Sequence, residues 1–246
     1  MNKLYTVVWL SGGISSFMAA VLCPVPVDEL IYIDIADQTR DTLRFVNEAA
    51  LYLDRPLTIL QSPFYRGKND VIRARRYING TRGAPCTGEL KRRPRKIWEA
   101  ENKILNLCYV WGYDLQEQHR IERLTEDNPQ AQHLFPLADM GLNKAQAHGM
   151  FERIGILKPD MYRMGYPNQN CVGCVKGGMG YWNKIRVDFP EVFAEMALLE
   201  REIGATCLKD AKGKVWLDEL DPNRGNISLE IFPECGIACY AFFGSV

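Results

Sequence analysis

Two groups of residues in this chain have the types and spacing to do chemistry. The first is a set of cysteines. Cys171 and Cys174 stand at CxxC spacing in Asn170-Cys171-Val172-Gly173-Cys174, which lets both sulfurs point at one metal, and Gly173 and the following glycines let the backbone turn N–H groups toward the thiolates. One such pair is half a site. Cys86, Cys235 and Cys239 are the candidates for the rest, so five cysteines compete for four ligand positions. Four thiolates suit tetrahedral Zn²⁺ or a 4Fe–4S cluster, and ligand spacing does not separate the two. The second group is Ser11-Gly12-Gly13-Ile14-Ser15-Ser16, which follows the apolar run Tyr5–Leu10 and precedes the helix-forming run Phe17–Leu22. It reads as a buried strand, a tight glycine turn and the first turn of a helix. The glycines allow close backbone approach, and the N–H groups and dipole of the helix start favour an anion such as phosphate. Ser11, Ser15 and Ser16 add hydroxyl donors.

The elements that must position these groups are also legible. Glu29–Ile35 and Leu57–Leu60 read as strands, with a helix over Asp41–Leu53 whose apolar positions fall on one face. The βαβαβ order predicts a parallel twisted α/β sheet with helices on both faces and ligands at the carboxyl ends of the strands. The glycine turn and the pair Asp34 and Asp37 both lie at such ends. Leu105–Trp111 predicts a fourth core strand, leaving Gly112, Asp114, Glu117 and Arg120 beyond its end, and Asp114 or Glu117 has the oxygen chemistry Mg²⁺ prefers. Tyr181–Ile203 reads as two helical pieces broken at Pro190. We expect one nucleotide-binding domain over residues 1–165 and a cysteine-bearing lobe over 166–246.

Composition narrows the classes. Thirty basic residues balance thirty acidic ones, which removes any global attraction to nucleic acid or membrane. No stretch approaches the ~20 apolar residues of a membrane span, and eight cysteines without a secretory leader read as reduced thiols of a cytoplasmic protein. The exception to neutrality is the segment 66–96, rich in Arg and Lys and including Lys91, which suits a polyanionic partner such as a nucleotide or a nucleic-acid acceptor. Cys23, Cys108 and Cys207 read as isolated, and His119, His133 and His148 as incidental.

The hexapeptide Ser11–Ser16 resembles the SGGxDS loop of the PP-loop ATP pyrophosphatase superfamily, with Ser15 in place of the aspartate. Pro85-Cys86-Thr87 with Glu89-Leu90-Lys91 and Pro94, the segment from Gly112 to Arg120, and Gly165-Tyr166 ahead of Cys171 resemble the PAPS reductase-like group within it. The resemblance implies a PP-loop enzyme that binds ATP with Mg²⁺, breaks the α–β phosphate bond to adenylate an acceptor, and supports sulfur transfer. It implies phosphate contacts from Ser11 to Ser16, with Ser11, Ser16 and Lys91 acting on the developing charge. Adenine or ribose contacts would come from Asp34 and Asp37, and a cleft wall from Gly112, Asp114, Glu117 and Arg120. It tilts the metal toward a 4Fe–4S cluster over Zn²⁺. Pro233-Glu234-Cys235-Gly236-Ile237 resembles the tail whose cysteine is the nucleophile in sulfonucleotide reductases, so Cys235 has two rival roles, ligand and nucleophile. The alternatives are such a PAPS or APS reductase, and a non-catalytic nucleotide-fold protein with structural zinc. An adenine nucleotide is the expected partner, with room for a homo-oligomer and none for a membrane.

Overall fold

The computed structural model describes residues 3–80 and 83–230, so Cys235 and Cys239 lie outside the described residues. Strand β1 (Tyr5–Leu10) leads into helix α1 (Ile14–Val21), followed by β2 (Glu29–Ile33), α2 (Asp41–Leu53) and β3 (Leu57–Leu60). Next come α3 (Lys68–Arg75), the short α4 (Pro85–Thr87), a π-helical turn (Gly88–Arg92) and α5 (Arg93–Asn102). Then follow β4 (Leu107–Val110), a 3-10 turn (Leu115–Glu117), α6 (Gln118–Asp127), β5 (Gln132–Leu134), α7 (Pro136–Asp139), α8 (Lys144–Phe151) and α9 (Asp160–Arg163). Helices α10 (Met179–Asp188) and α11 (Pro190–Ile203) and an antiparallel hairpin, β6 (Leu208–Asp210) with β7 (Gly213–Val215), complete the regular structure.

The five strands form one parallel sheet in the order β3-β2-β1-β4-β5. Winding reverses between β1 and β4, and that switch opens a crevice beyond the carboxyl ends of these two strands. Because β1 is buried on both faces it is a continuous apolar run instead of an alternating one. Val8 and Leu10 pack with α1, α2 and α8 on one face, while Val7 and Trp9 pack with Trp98 of α5 and Leu124 of α6 on the other. The expected α/β class, the first three strands and the α2 boundaries are therefore found. The second strand ends at Ile33, two residues early, and β5 and the β6–β7 hairpin were not foreseen. These strands are three residues each and carry Gln132, Lys209 and Lys214, so they lack an apolar signature.

A third core gathers Trp182, Tyr181, Met196 and Leu199 from α10 and α11 around Ile72, Ile78 and Ala84. The C-terminal segment thus shares its core with α3 and the loop after it. Pro190 is the first residue of α11, where its missing N–H is no loss, and Phe189 joins the two helices. Among the described residues no helix is long and apolar enough to cross a membrane.

Candidate functional site

The glycine bend forms as its sequence requires. Gly12 has φ of +81°, and a Cβ there would run into the Thr42 methyl, so only glycine fits. Gly13 is the N-cap of α1 in extended conformation. Ser16, buried in the first turn, ties the loop together. Its hydroxyl accepts the Ser11 N–H at 2.9 Å, lies 3.0 Å from the Ser11 hydroxyl and donates to the Gly13 carbonyl at 3.0 Å. Ser11 Oγ in turn accepts the Gly13 N–H at 3.3 Å. Gly112, just past β4, faces this turn across the switch point. A Cβ on Gly112 would stand 2.6 Å from the Ser16 nitrogen and Cα, so the β4 exit lies directly on the first turn of α1.

The first amide of α1 points at an open cleft. Ile14 N–H reaches the Tyr162 hydroxyl at 3.4 Å, and Tyr162 lines a cavity of about 540 Å³ with Lys144, His148, Lys158, Tyr166 and Gln116. Lys144 is bonded to the buried Asn168, and Lys158 pairs with Glu152. His148 packs edge-on to Tyr162, their centroids 5.1 Å apart. Two ammonium groups and three aromatic rings beside a helix start suit an anionic ligand with a flat ring. Of these cavity residues the sequence drew attention to Tyr166, in the Gly165-Tyr166 segment, with Tyr162 just ahead of it, while Gln116 and Lys144 were not singled out and His148 was set aside. No local spacing joins them, since they converge only when α8 and α9 pack beside α1.

The acidic candidates all make structural contacts. Asp114 caps the 3-10 turn, accepting the Gln116 N–H at 2.8 Å, while Glu117 reaches back to the Asp114 N–H at 3.3 Å. Glu117 also pairs with Arg120, whose guanidinium lies 4.4 Å over the Tyr113 ring. Asp34 accepts from Gln61 at 2.9 Å at the β2 exit. Asp37 turns the other way. Its carboxylate takes the Lys68 ammonium at 2.9 Å and the Lys68 N–H at 2.5 Å, and its carbonyl accepts the Val172 N–H at 2.8 Å. Asp37 therefore belongs to the cysteine turn.

Cys86, Cys171 and Cys174 line one small cavity of about 20 Å³, together with Lys68, Lys91, Thr87, Leu90 and Ile35. That is room for about one water or one ion. Lys68 and Lys91 are 4% and 6% exposed. Burial alone would push the Lys68 ammonium down, but Asp37, with Cys171 and Cys174, overrides it and the net direction is upward. A buried cation beside thiols favours their thiolate form. The Thr87 hydroxyl, also buried in this wall, finds no hydrogen-bond partner among the described residues. The chemistry of this wall suits a thiolate-bound, net negative group. The sulfurs share a cavity without closing a coordination sphere: among the described residues no three His, Cys, Asp or Glu side chains are grouped to hold a metal ion. Tyr181 fastens the turn, accepting the Cys174 N–H at 2.9 Å and donating to the Cys171 carbonyl at 3.2 Å.

Cys207, read as isolated, packs on the same core as Cys174. Burial, then the neighbouring Glu200 carboxylate, push its thiol well up, so it stays protonated. Cys108 is the small buried hydrophobe expected, its thiol pushed up to about 11 by burial.

The bend and the cysteine turn lie back to back. Thr42, which fills the space at Gly12, accepts from Gln169 at 2.9 Å, and Gln169 lies two residues before Cys171. The basic segment is less one-sided in space than in sequence. Arg75 and Arg93 both pair with Glu89, Arg73 and Arg76 with Glu202 of α11, and the buried Arg95 with Glu99 at 3.3 Å.

No protein-family model matches the chain, and no curated protein matches it. Among solved structures, the phosphoadenylyl-sulfate (PAPS) reductase from Candida auris, crystallised as a phosphate complex, resembles it with a TM-score of 0.47 at 13% identity, over 67% of this chain and 80% of that one. The likeness is one of backbone course, and no activity follows from it.

Proposed function

We propose that this chain is a PP-loop enzyme of the PAPS reductase-like type, which binds ATP at the start of α1, adenylates an acceptor and handles sulfur at the adjoining thiols. The observation that carries the reading is the adjacency just described, a glycine bend of phosphate-binding form backed by a cavity of three cysteines and two buried lysines. The adenine ring and phosphates lie in the Tyr162 cavity, and a phosphate oxygen takes the place of the Tyr162 hydroxyl at the Ile14 amide. The acceptor's oxygen bonds the α-phosphorus as the bridge to the β-phosphate breaks, and pyrophosphate leaves. The amides of the first turn, fixed by Ser11 and Ser16, meet the charge growing on that leaving group without reorganising. Lys144 and Lys158 neutralise the remainder. Mg²⁺ would be held mainly by the nucleotide's own phosphates, because Asp114 and Glu117 are engaged in a cap.

Cys86, Cys171 and Cys174 would hold a thiolate-bound metal, with a fourth thiolate from Cys235 or Cys239. A 4Fe–4S cluster held there would relay sulfur to the adenylated acceptor, whereas Zn²⁺ would be structural. Either Zn²⁺ or a 4Fe–4S cluster would require the three sulfurs to draw together, because among the described residues they are not grouped to hold a metal. A nucleic-acid acceptor would meet the chain along segment 66–96. The test is anaerobic purification, metal analysis and titration with ATP and Mg²⁺. Binding of ATP at one site with a stoichiometric thiolate-bound metal is expected. Metal-free protein that leaves ATP unbound and intact would overturn the reading.

A second reading is a PAPS or APS reductase with Cys235, outside the described residues, as nucleophile. Thiol-dependent release of sulfite from PAPS or APS distinguishes it.

A further inference from the structure

The last described residue, Glu230, caps a helix that begins some fifty positions earlier in the chain. Its carboxylate accepts the Gly180 N–H at 2.5 Å and the Tyr181 N–H at 3.0 Å. These belong to the first turn of α10, whose amides have no partner within the helix, and the helix dipole favours an anion there. The helix's own N-cap is Gly178, which has no side chain to offer. Its bareness is explained by Glu230, because a Cβ on Gly178 would stand 2.5 Å from the Glu230 carboxyl carbon.

The segment that brings Glu230 to this place is fastened along its length. Asn183 donates to the Asp221 and Arg224 carbonyls at 2.9 and 2.7 Å, and Arg186 donates to the Leu220 carbonyl at 2.8 Å. Gly180 and Gly225 meet backbone to backbone, with no room for a Cβ on either. Residues 221–230 form a strap laid across the start of α10.

Tyr181 joins this strap to the thiols. Its backbone N–H is held by Glu230, while its hydroxyl, at the other end of a fully buried ring, bridges the Cys174 N–H and the Cys171 carbonyl. We propose that Glu230 is a positioning residue for the thiol site. Docking of the strap, transmitted through Tyr181, sets the geometry and accessibility of the Cys171–Cys174 turn, so residues 221–230 latch the thiols. The latch does not depend on the nucleotide reading, and the two fail separately.

The experiment measures site-resolved alkylation of each cysteine by iodoacetamide, read by peptide mass spectrometry on the protein as purified. Amide hydrogen exchange of Cys174 is followed in parallel. Glu230→Ala should speed modification of Cys171 and Cys174, and exchange at the Cys174 amide, by about tenfold, the loss of one good cap. Cys23, on the far core, should keep its rate, which separates a local release from general unfolding. Glu230→Gln, retaining one acceptor oxygen, should fall between. Tyr181→Phe should give a similar release, and adding Glu230→Ala to it should bring little more, because both act through one element. Unchanged Cys171 and Cys174 rates in Glu230→Ala, a rise shared equally by Cys23, or fully additive effects in the double variant would each overturn the proposal.

Discussion

The glycine bend and the cysteine cavity lie on opposite sides of the Asp37–Thr42 segment, and they are built in opposite ways. The bend is assembled from residues within six positions of one another, and Ser11, Gly13 and Ser16 bond to each other, with a long-range bond from Ile14 to Tyr162. The cavity takes its wall from Ile35, α3, α4, the π-turn and the loop before α10, and its charge balance rests on Lys68 and Asp37, far apart in sequence. A local motif keeps its shape when distant contacts fail. A composite one does not, so the cavity is the more fragile of the two.

The largest effect should come from breaking the composite side. Lys68→Met strands the Asp37 carboxylate in a nearly closed site and should lower unfolding free energy by about 3–5 kcal/mol, measured by urea denaturation. Lys68→Met with Asp37→Asn should recover much of that loss, because no lone charge is then buried. The same pair sets an alkaline limit. The folded-state value of Lys68 lies above the ordinary 10.5, so its contribution is complete below that value and is lost as pH rises through the raised one. The double variant should lack this alkaline fall. A Lys68→Met protein as stable as the parent at pH 7 would show that the cavity does not depend on the pair.

A smaller effect should follow at the contact between β4 and the bend. Gly112→Ala places a methyl 2.6 Å from the backbone of Ser16, which cannot rotate away as a side chain would. Overpacking of this kind costs about 1–3 kcal/mol. It should weaken ATP binding while leaving the alkylation rates of Cys171 and Cys174 unchanged. Equal disturbance of both would show that the two regions are one unit, coupled through Thr42 and Gln169.

These contrasts also explain what could be read in advance. The bend, β1 to β3, α2 and the break at Pro190 are recorded in adjacent residues, in glycine placement and in apolar spacing, and apart from the earlier end of β2 they stand where expected. The company of Cys86 with Cys171 and Cys174 was expected, because a CxxC pair is half a site and the Cys86 segment resembles one whose cysteine approaches a metal. Lys68 was counted only among the basic residues of its segment, and its burial against Asp37 depends on Gly67, where a Cβ would press on that carboxylate at 3.0 Å. The basic excess of that segment is partly offset in space in a way the sequence does not show, since Glu202, which pairs with Arg73 and Arg76, lies on α11, more than a hundred residues later. Of the Tyr162 cavity only the segment leading to Gly165-Tyr166 had a sequence signal, and the convergence of that segment with Lys144 and His148 of α8 is a product of helix packing.

The smallest expected effect tests the one long bond of the bend. The Tyr162 hydroxyl accepts the Ile14 N–H, the amide at which the proposed phosphate oxygen would bind. At 3.4 Å it is a weak bond, and Tyr162→Phe should cost no more than about 1 kcal/mol of stability. The same change removes a competitor from the first amide of α1, so ATP affinity, measured by calorimetry with Mg²⁺, should hold or rise slightly. The ring remains as a wall against His148. A large loss of affinity in Tyr162→Phe would mean that the hydroxyl donates to the ligand. The nucleotide would then be held by side chains of the cleft, with the bend serving only as the turn that starts α1.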